Sequence, residues 1–256
     1  MKFLVLFTLF ISTSLWSRPE SYRELLDYVQ LAPDQGETNT CMFVANTGAM
    51  ELLANKHHGI KNPEPQGRFD LAESYLIWAS FWENGTSYFD EPVHRFNRGY
   101  GIHISNWPYD AWNGTYIDNR VWNQHPNFSN LPRVELPKIE TIRLFQYGGK
   151  WSTYVLGKEE IEQMKEALWK YKSPLLVNYN DDGFWHMILI VGYEDKVPGD
   201  CYDAKGPDCS KDIGSFYIRD SFGVAVELRS TDWFKIKGNA AWVVKLKNIP
   251  DNNTSL

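Results

Sequence analysis

The chain carries four residues able to share the work of covalent acyl transfer: Gln35, Cys41, His186 and Asp220, in that order. A thiol attacks a carbonyl as its thiolate, and an imidazole can hold the proton the thiol gives up. Cys41 opens the run Cys-Met-Phe-Val-Ala-Asn-Thr-Gly-Ala-Met-Glu-Leu-Leu-Ala, with apolar residues on both faces. That pattern predicts a buried central helix over 41–54. Thr38, Asn39 and Thr40 are N-cap candidates, so Cys41 falls in the first turn. There the helix dipole and the unsatisfied N–H groups favour an anion. Alone, a cysteine on a core helix reads as packing.

His186 shifts that balance. It heads His-Met-Ile-Leu-Ile-Val-Gly-Tyr, just after Asp181-Asp182-Gly183. A polar residue at the head of an apolar strand stands at a sheet end, where it can face a cleft and act as a base. Asp220 follows the strand pattern of 216–219. If that strand pairs with the His186 strand, the carboxylate orients the imidazole. Gln35 stands six residues before Cys41, and its amide is a donor for an oxyanion. Singly, these would be a surface histidine, a turn aspartate and a loop glutamine.

The elements that must hold these residues change character along the chain. Residues 21–31 carry a helical pattern that stops before Pro33, and 34–40 is polar loop. Helices are expected over 71–82, 93–97 and 158–171. Strands are expected at 175–179, 186–193, 216–219, 224–228 and 241–246. Helices first and strands second imply an α+β fold of two lobes, about 34–135 mainly helical and about 136–250 mainly β. A tail, 251–256, follows.

Composition narrows the classes. The chain has 256 residues, 43% hydrophobic and 23% charged, enough for a sizeable core. A net charge of −6 without basic runs argues against a nucleic-acid partner. Lys2, the apolar stretch 3–11 and the mixed residues 12–17 read as a signal peptide cleaved after Ser17, with a retained anchor as the alternative. No later stretch is long enough to span a bilayer, so a monomer that is secreted or periplasmic is expected. Cys201 and Cys209 share one polar loop and can pair as a disulfide in an oxidising compartment, which leaves Cys41 alone among three cysteines. Adjacent His57 and His58 diverge on a helix and read as a solvated end, so no metal and no cofactor is expected.

Together, the ordered residues make the chain resemble the papain family of cysteine peptidases, over roughly residues 30 to 246. Gln35-Gly36 is similar to the family's Gln-Gly pair six residues before the nucleophile, and Glu51 matches a glutamate on its helix. The Cys-to-His interval, 186 − 41 = 145, and the His186 strand also match. Leu71-Ala-Glu-Ser-Tyr-Leu-Ile-Trp resembles a family helix, and Gly101-Ile102 with Trp107-Pro108-Tyr109 another conserved stretch of it. The resemblance implies a papain-like two-lobed fold with a cleft between lobes, and hydrolysis of a peptide or protein substrate by Cys41, His186, Asp220 and Gln35. It implies substrate contacts at Asn84-Gly85-Thr86, with Phe184 and Met187 as pocket candidates near His186. The chain departs from the pattern in having Thr40-Cys41-Met42, a carboxylate at Asp220 where the family has Asn, and Phe222 where it has Trp. Only 40 residues precede Cys41, so latency is either unnecessary or supplied by a separate protein inhibitor. An amidase, isopeptidase or transpeptidase, or a non-catalytic peptide-binding protein, would use the same fold.

Overall fold

The computed structural model describes residues 18–36, 40–84, 91–106, 109, 130–147, 156–181, 184–197, 214–223, 226–231, 233–234 and 238–247. Residues 80–84, 91–92, 180–181 and 184–185 are described by their backbone alone. The signal-peptide segment 1–17, the tail 251–256 and the Cys201–Cys209 pairing lie outside the described residues.

The two-faced apolar run beginning at Cys41 forms α1, Cys41–His57, and every residue from Phe43 to Asn55 is buried. A helix apolar on all sides must be surrounded, and α1 is. On one side lie α2, Glu73–Asn84, and α3, Glu91–His94. On the other lies the large sheet. A short ribbon pairs β2, Tyr100–Ile102, with β3, Arg133–Glu135.

The sheet is antiparallel throughout. It joins β4, Ile139–Gln146, to β9, Gly238–Leu246; then β5, Leu175–Asp181; β6, Phe184–Glu194; β7, Ser215–Arg219; and β8, Glu227–Ser230. In this register His186 faces Tyr179 of β5, and Leu189 faces Arg219 of β7. The strand after which Asp220 stands therefore does pair with the strand that carries His186. The amphipathic helix α4, Lys158–Tyr171, covers the sheet with Ile161, Met164, Ala167 and Leu168. The fold is α+β, and one apolar core runs through helices and sheet.

The segment expected as a helix over 21–31 is not one. Ser21 and Tyr22 form β1 and pair with Glu194 and Tyr193, and a 3-10 turn follows at Leu26–Tyr28. The apolar spacing that suggested a helix instead sends Tyr22 and Leu25 into the core from a strap across the sheet. Arg18 fastens its start, bonding Glu162 and Asp195 above the Tyr193 ring. The strand β4 was not expected at all.

One buried ion pair ties these parts together. Arg219 donates from Nε to the Gln30 carbonyl at 2.8 Å and from Nη1 to the Val44 carbonyl at 3.0 Å. Its Nη2 meets the Leu31 carbonyl at 3.3 Å and Glu51 Oε2 at 3.1 Å. Glu51 Oε1 accepts from the Leu71 N–H at 2.8 Å. The guanidinium passes over Gly48, where a Cβ would overlap it. Breaking a buried pair strands the surviving charge, so Arg219→Met is expected to cost about 3–5 kcal/mol. Gly48→Ala is expected to cost about 1–3 kcal/mol by overpacking, although alanine is the better helix former. Urea midpoints of the two variants against the parent chain check both figures.

Candidate active site

The helix start sets the place of Cys41. Thr40 is the N-cap residue, and its carbonyl accepts from Phe43 N–H at 2.8 Å and Val44 N–H at 3.1 Å. Its side chain does not cap the helix. Thr40 Oγ1 instead shares a 2.5 Å hydrogen bond with Tyr109 Oη. Cys41 follows in the first turn, half-buried.

His186 lies between two partners. Its Nε2 meets Asp220 Oδ1 at 2.6 Å, and its side chain also hydrogen-bonds Cys41. With Nε2 committed to the carboxylate, Nδ1 is the nitrogen that serves the thiol. Burial lowers the imidazole's pKa, but the Asp220 and Cys41 hydrogen bonds outweigh it and push the group up to about 9. The Tyr179 ring meets the imidazole edge-on, with centroids 5.2 Å apart. Phe222 stacks on it at 5.5 Å and 13° while 49% exposed, so its outer face forms the rim of the site.

Asp220 is buried, and burial alone would raise its pKa. The His186 bond and charge, the Arg229 charge and the Ser221 N–H outweigh that and hold the carboxyl below its usual range. The Ser221 N–H reaches Oδ1 at 2.7 Å, and Arg229 Nη2 reaches Oδ2 at 3.3 Å.

Gln35 is joined to the same segment. Its N–H donates to the Ser221 carbonyl at 2.8 Å, and its Oε1 accepts from Ser221 Oγ at 2.6 Å. The carbonyl end of the amide is thereby engaged, and Nε2 is the end that can donate to an oxyanion. The structure thus gathers Gln35, Cys41, His186 and Asp220.

The expected substrate contacts fare differently. Asn84 ends α2 and Phe184 begins β6 opposite Asp181, each described by its backbone. Gly85 and Thr86 lie outside the described residues. Met187 is 1% exposed, and its sulfur accepts from Asn46 Nδ2 at 3.6 Å, so it packs under α1. Among the described residues, no group of three or more His, Cys, Asp or Glu side chains could hold a metal ion.

Sequence reasoning missed Arg229, Tyr179, Ser221 and the Thr40–Tyr109 bond. Arg229 had a signal: it is a charged residue in an alternating strand. The strand expected at 224–228 stopped one residue short of it, whereas β8 reaches Ser230 and pairs Arg229 with Phe216.

No family model matches the sequence, and no curated protein matches it. Solved structures do match. Bromelain from Ananas comosus aligns over 90% of this chain and 100% of its own, at TM-score 0.55 and 14% identity. Xylellain, a cysteine protease from Xylella fastidiosa, aligns over 90% and 87%, at TM-score 0.58 and 15% identity. The cysteine protease and lectin-like domains of Cwp84 from Clostridium difficile align over 91% and 53%, at 0.59 and 16%. The chain has a papain-like fold.

A pKa raised from 6.5 to about 9 has a defined consequence for stability. The imidazolium's contribution is fully present below 6.5 and is lost as pH rises through about 9. An NMR titration of His186 is expected near 9 in the parent chain. Cys41→Ser, which replaces the thiol partner, is expected to bring it lower.

Proposed function

We propose that this chain is a cysteine peptidase that hydrolyses peptide bonds through a thioester. One observation carries the reading: His186 bonds Cys41 on one side and the buried Asp220 carboxylate on the other. The fold supports it, since bromelain, xylellain and Cwp84 are named as proteases and the bromelain structure holds the E64 inhibitor.

In this scheme the Cys41 proton rests on His186 Nδ1. The thiolate attacks the carbonyl carbon. A C–S bond forms and the carbonyl π pair moves to oxygen, where the Cys41 N–H and Gln35 Nε2 receive the charge. The oxyanion collapses, the C–N bond breaks, and His186 gives its proton to the leaving amine. Water then loses a proton to His186 as its oxygen attacks the thioester. The C–S bond breaks and the acid product departs. Asp220 keeps the imidazole oriented through both steps and stabilises it while charged.

Export fits this chemistry. A lone thiol in an oxidising compartment is a liability unless it is used, and the run 3–11 with its flanks supports a secretory signal. N-terminal sequencing of secreted protein is expected to begin at Arg18.

An epoxysuccinyl probe is expected to label Cys41 in intact protein, with the adduct located by peptide mass spectrometry. Absence of label, or equal labelling of Cys41→Ser, defeats the reading. Product analysis with added amines separates hydrolysis from acyl transfer. Gln35→Ala is expected to lower kcat about 100-fold with little change in KM, as loss of an oxyanion donor does.

A further inference from the structure

We infer that Arg229 is a positioning residue for the catalytic centre, the counter-charge that lets a carboxylate orient His186 from a buried site. This rests on the peptidase reading, which it extends to a residue outside the set that reacts.

The carboxylate creates an electrostatic difficulty. A neutral amide could accept the imidazole N–H without bringing a charge into the core. Asp220 brings one, and its side chain is fully buried. A buried anion must be paired and hydrogen-bonded to stay ionised. Hydrogen bonds from His186, the Ser221 N–H and, at 3.5 Å, the Ser221 hydroxyl reach Oδ1. Oδ2 faces Arg229 Nη2 at 3.3 Å. Each oxygen therefore has its own cation, and rotation of the carboxylate would exchange one for the other.

Arg229 is itself held. Its guanidinium carbon lies 4.5 Å from the centroid of the Trp233 ring, and the Trp233 ring in turn meets Tyr179 at 4.4 Å. Its Nη2 also bonds Glu227 Oε1 at 2.8 Å, and its side chain hydrogen-bonds Tyr179. Tyr179 is the residue whose ring edge meets His186. The cation thus touches the imidazole's environment twice, through Asp220 and through Tyr179, without touching the imidazole.

The ionisable groups around this centre come from several elements. Cys41 faces His186 from α1, Tyr179 from β5, Asp220 from the end of β7, and Glu227 and Arg229 from β8. Glu227 is more exposed than Arg229, with side chains at 21% and 6%, so water screens it more. Removing Asp220's charge alone leaves the buried guanidinium near an imidazolium with only the more exposed Glu227 to balance it. Removing both charges restores balance.

The test is a double-mutant cycle of Asp220→Asn and Arg229→Met, with Arg229→Lys as a charge-retaining control. Each variant is read by NMR titration of His186, by kcat/KM and by thermal melting. Asp220→Asn is expected to lower the His186 pKa, and adding Arg229→Met to raise it again by at least about half a pH unit. Activity of the double variant is expected to exceed that of Asp220→Asn at least tenfold, while Arg229→Met alone loses at least tenfold and Arg229→Lys loses less. Two independent, multiplying effects, or a His186 titration in Asp220→Asn that Arg229→Met leaves unmoved, overturn the inference. A double variant that melts lower than both singles with no gain in activity also overturns it. His186 titrates whether or not the chain cleaves peptides. An inactive parent chain would therefore defeat the peptidase reading while the titrations still judge the role of Arg229.

Discussion

The arrangement around His186 depends on a buried guanidinium one residue from Asp220. Arg219 bonds carbonyls at Gln30, Leu31 and Val44 and the carboxylate of Glu51. It thereby fixes the strap, α1 and the end of β7 to one point. Desolvating two charges is expensive, and such a pair is weak evidence of net stability. Its effect here is geometric. Strap, helix and strand come from distant parts of the chain, and packing of apolar surfaces alone leaves some freedom to slide. A planar fork with directed hydrogen bonds does not. The surroundings show the cost of burial: it pushes Glu51 well above its usual range and Glu73 up to about 7, while the Arg219 charge opposes both shifts.

From that point a second set of groups follows: the Cys41 sulfur, the His186 imidazole, the Asp220 carboxylate and the Arg229 guanidinium. Each is anchored by a different element, so the arrangement is a tertiary property. It explains how His186 can be mostly buried yet carry a raised pKa. Burial opposes the imidazolium, but hydrogen bonds to Asp220 and Cys41 favour it more.

Some of this was legible in the sequence because local pattern announced it. Cys41 begins an apolar run, and His186 and Asp220 stand just outside or at the head of strand patterns. The helix over 158–171 was read at its observed limits because its period is strong and its face polar. What escaped depends on pairing. β4 reads Ile-Glu-Thr-Ile-Arg-Leu-Phe-Gln, with charges at two positions, and becomes a strand by pairing with β9. The strap looked helical because Tyr22, Leu25, Leu26 and Val29 keep helical spacing, yet Tyr22 is drawn onto β6. Arg229 became visible only when β8 was set against β7, since register decides which alternate residue turns toward Asp220.

The turn after β7 couples the surroundings of His186 to Gln35. Ser221 gives its N–H to the carboxylate that bonds His186, and its hydroxyl to the Gln35 amide oxygen. Its carbonyl holds the Gln35 backbone, and the next residue, Phe222, bridges to Asp34 while stacking on His186. Phenylalanine is smaller than the tryptophan the resemblance suggests, but a ring lying 13° from parallel still covers one face of the imidazole. Three consecutive residues thus fix the acceptor for the imidazole, the orientation of the Gln35 amide and a cover over the imidazole. They can do so because Arg219, immediately before them, is held by four hydrogen bonds. A shift at the end of β7 would move the partners of His186 and Gln35 together, which is why the Arg219 pair and the charge balance at Asp220 belong to one constraint.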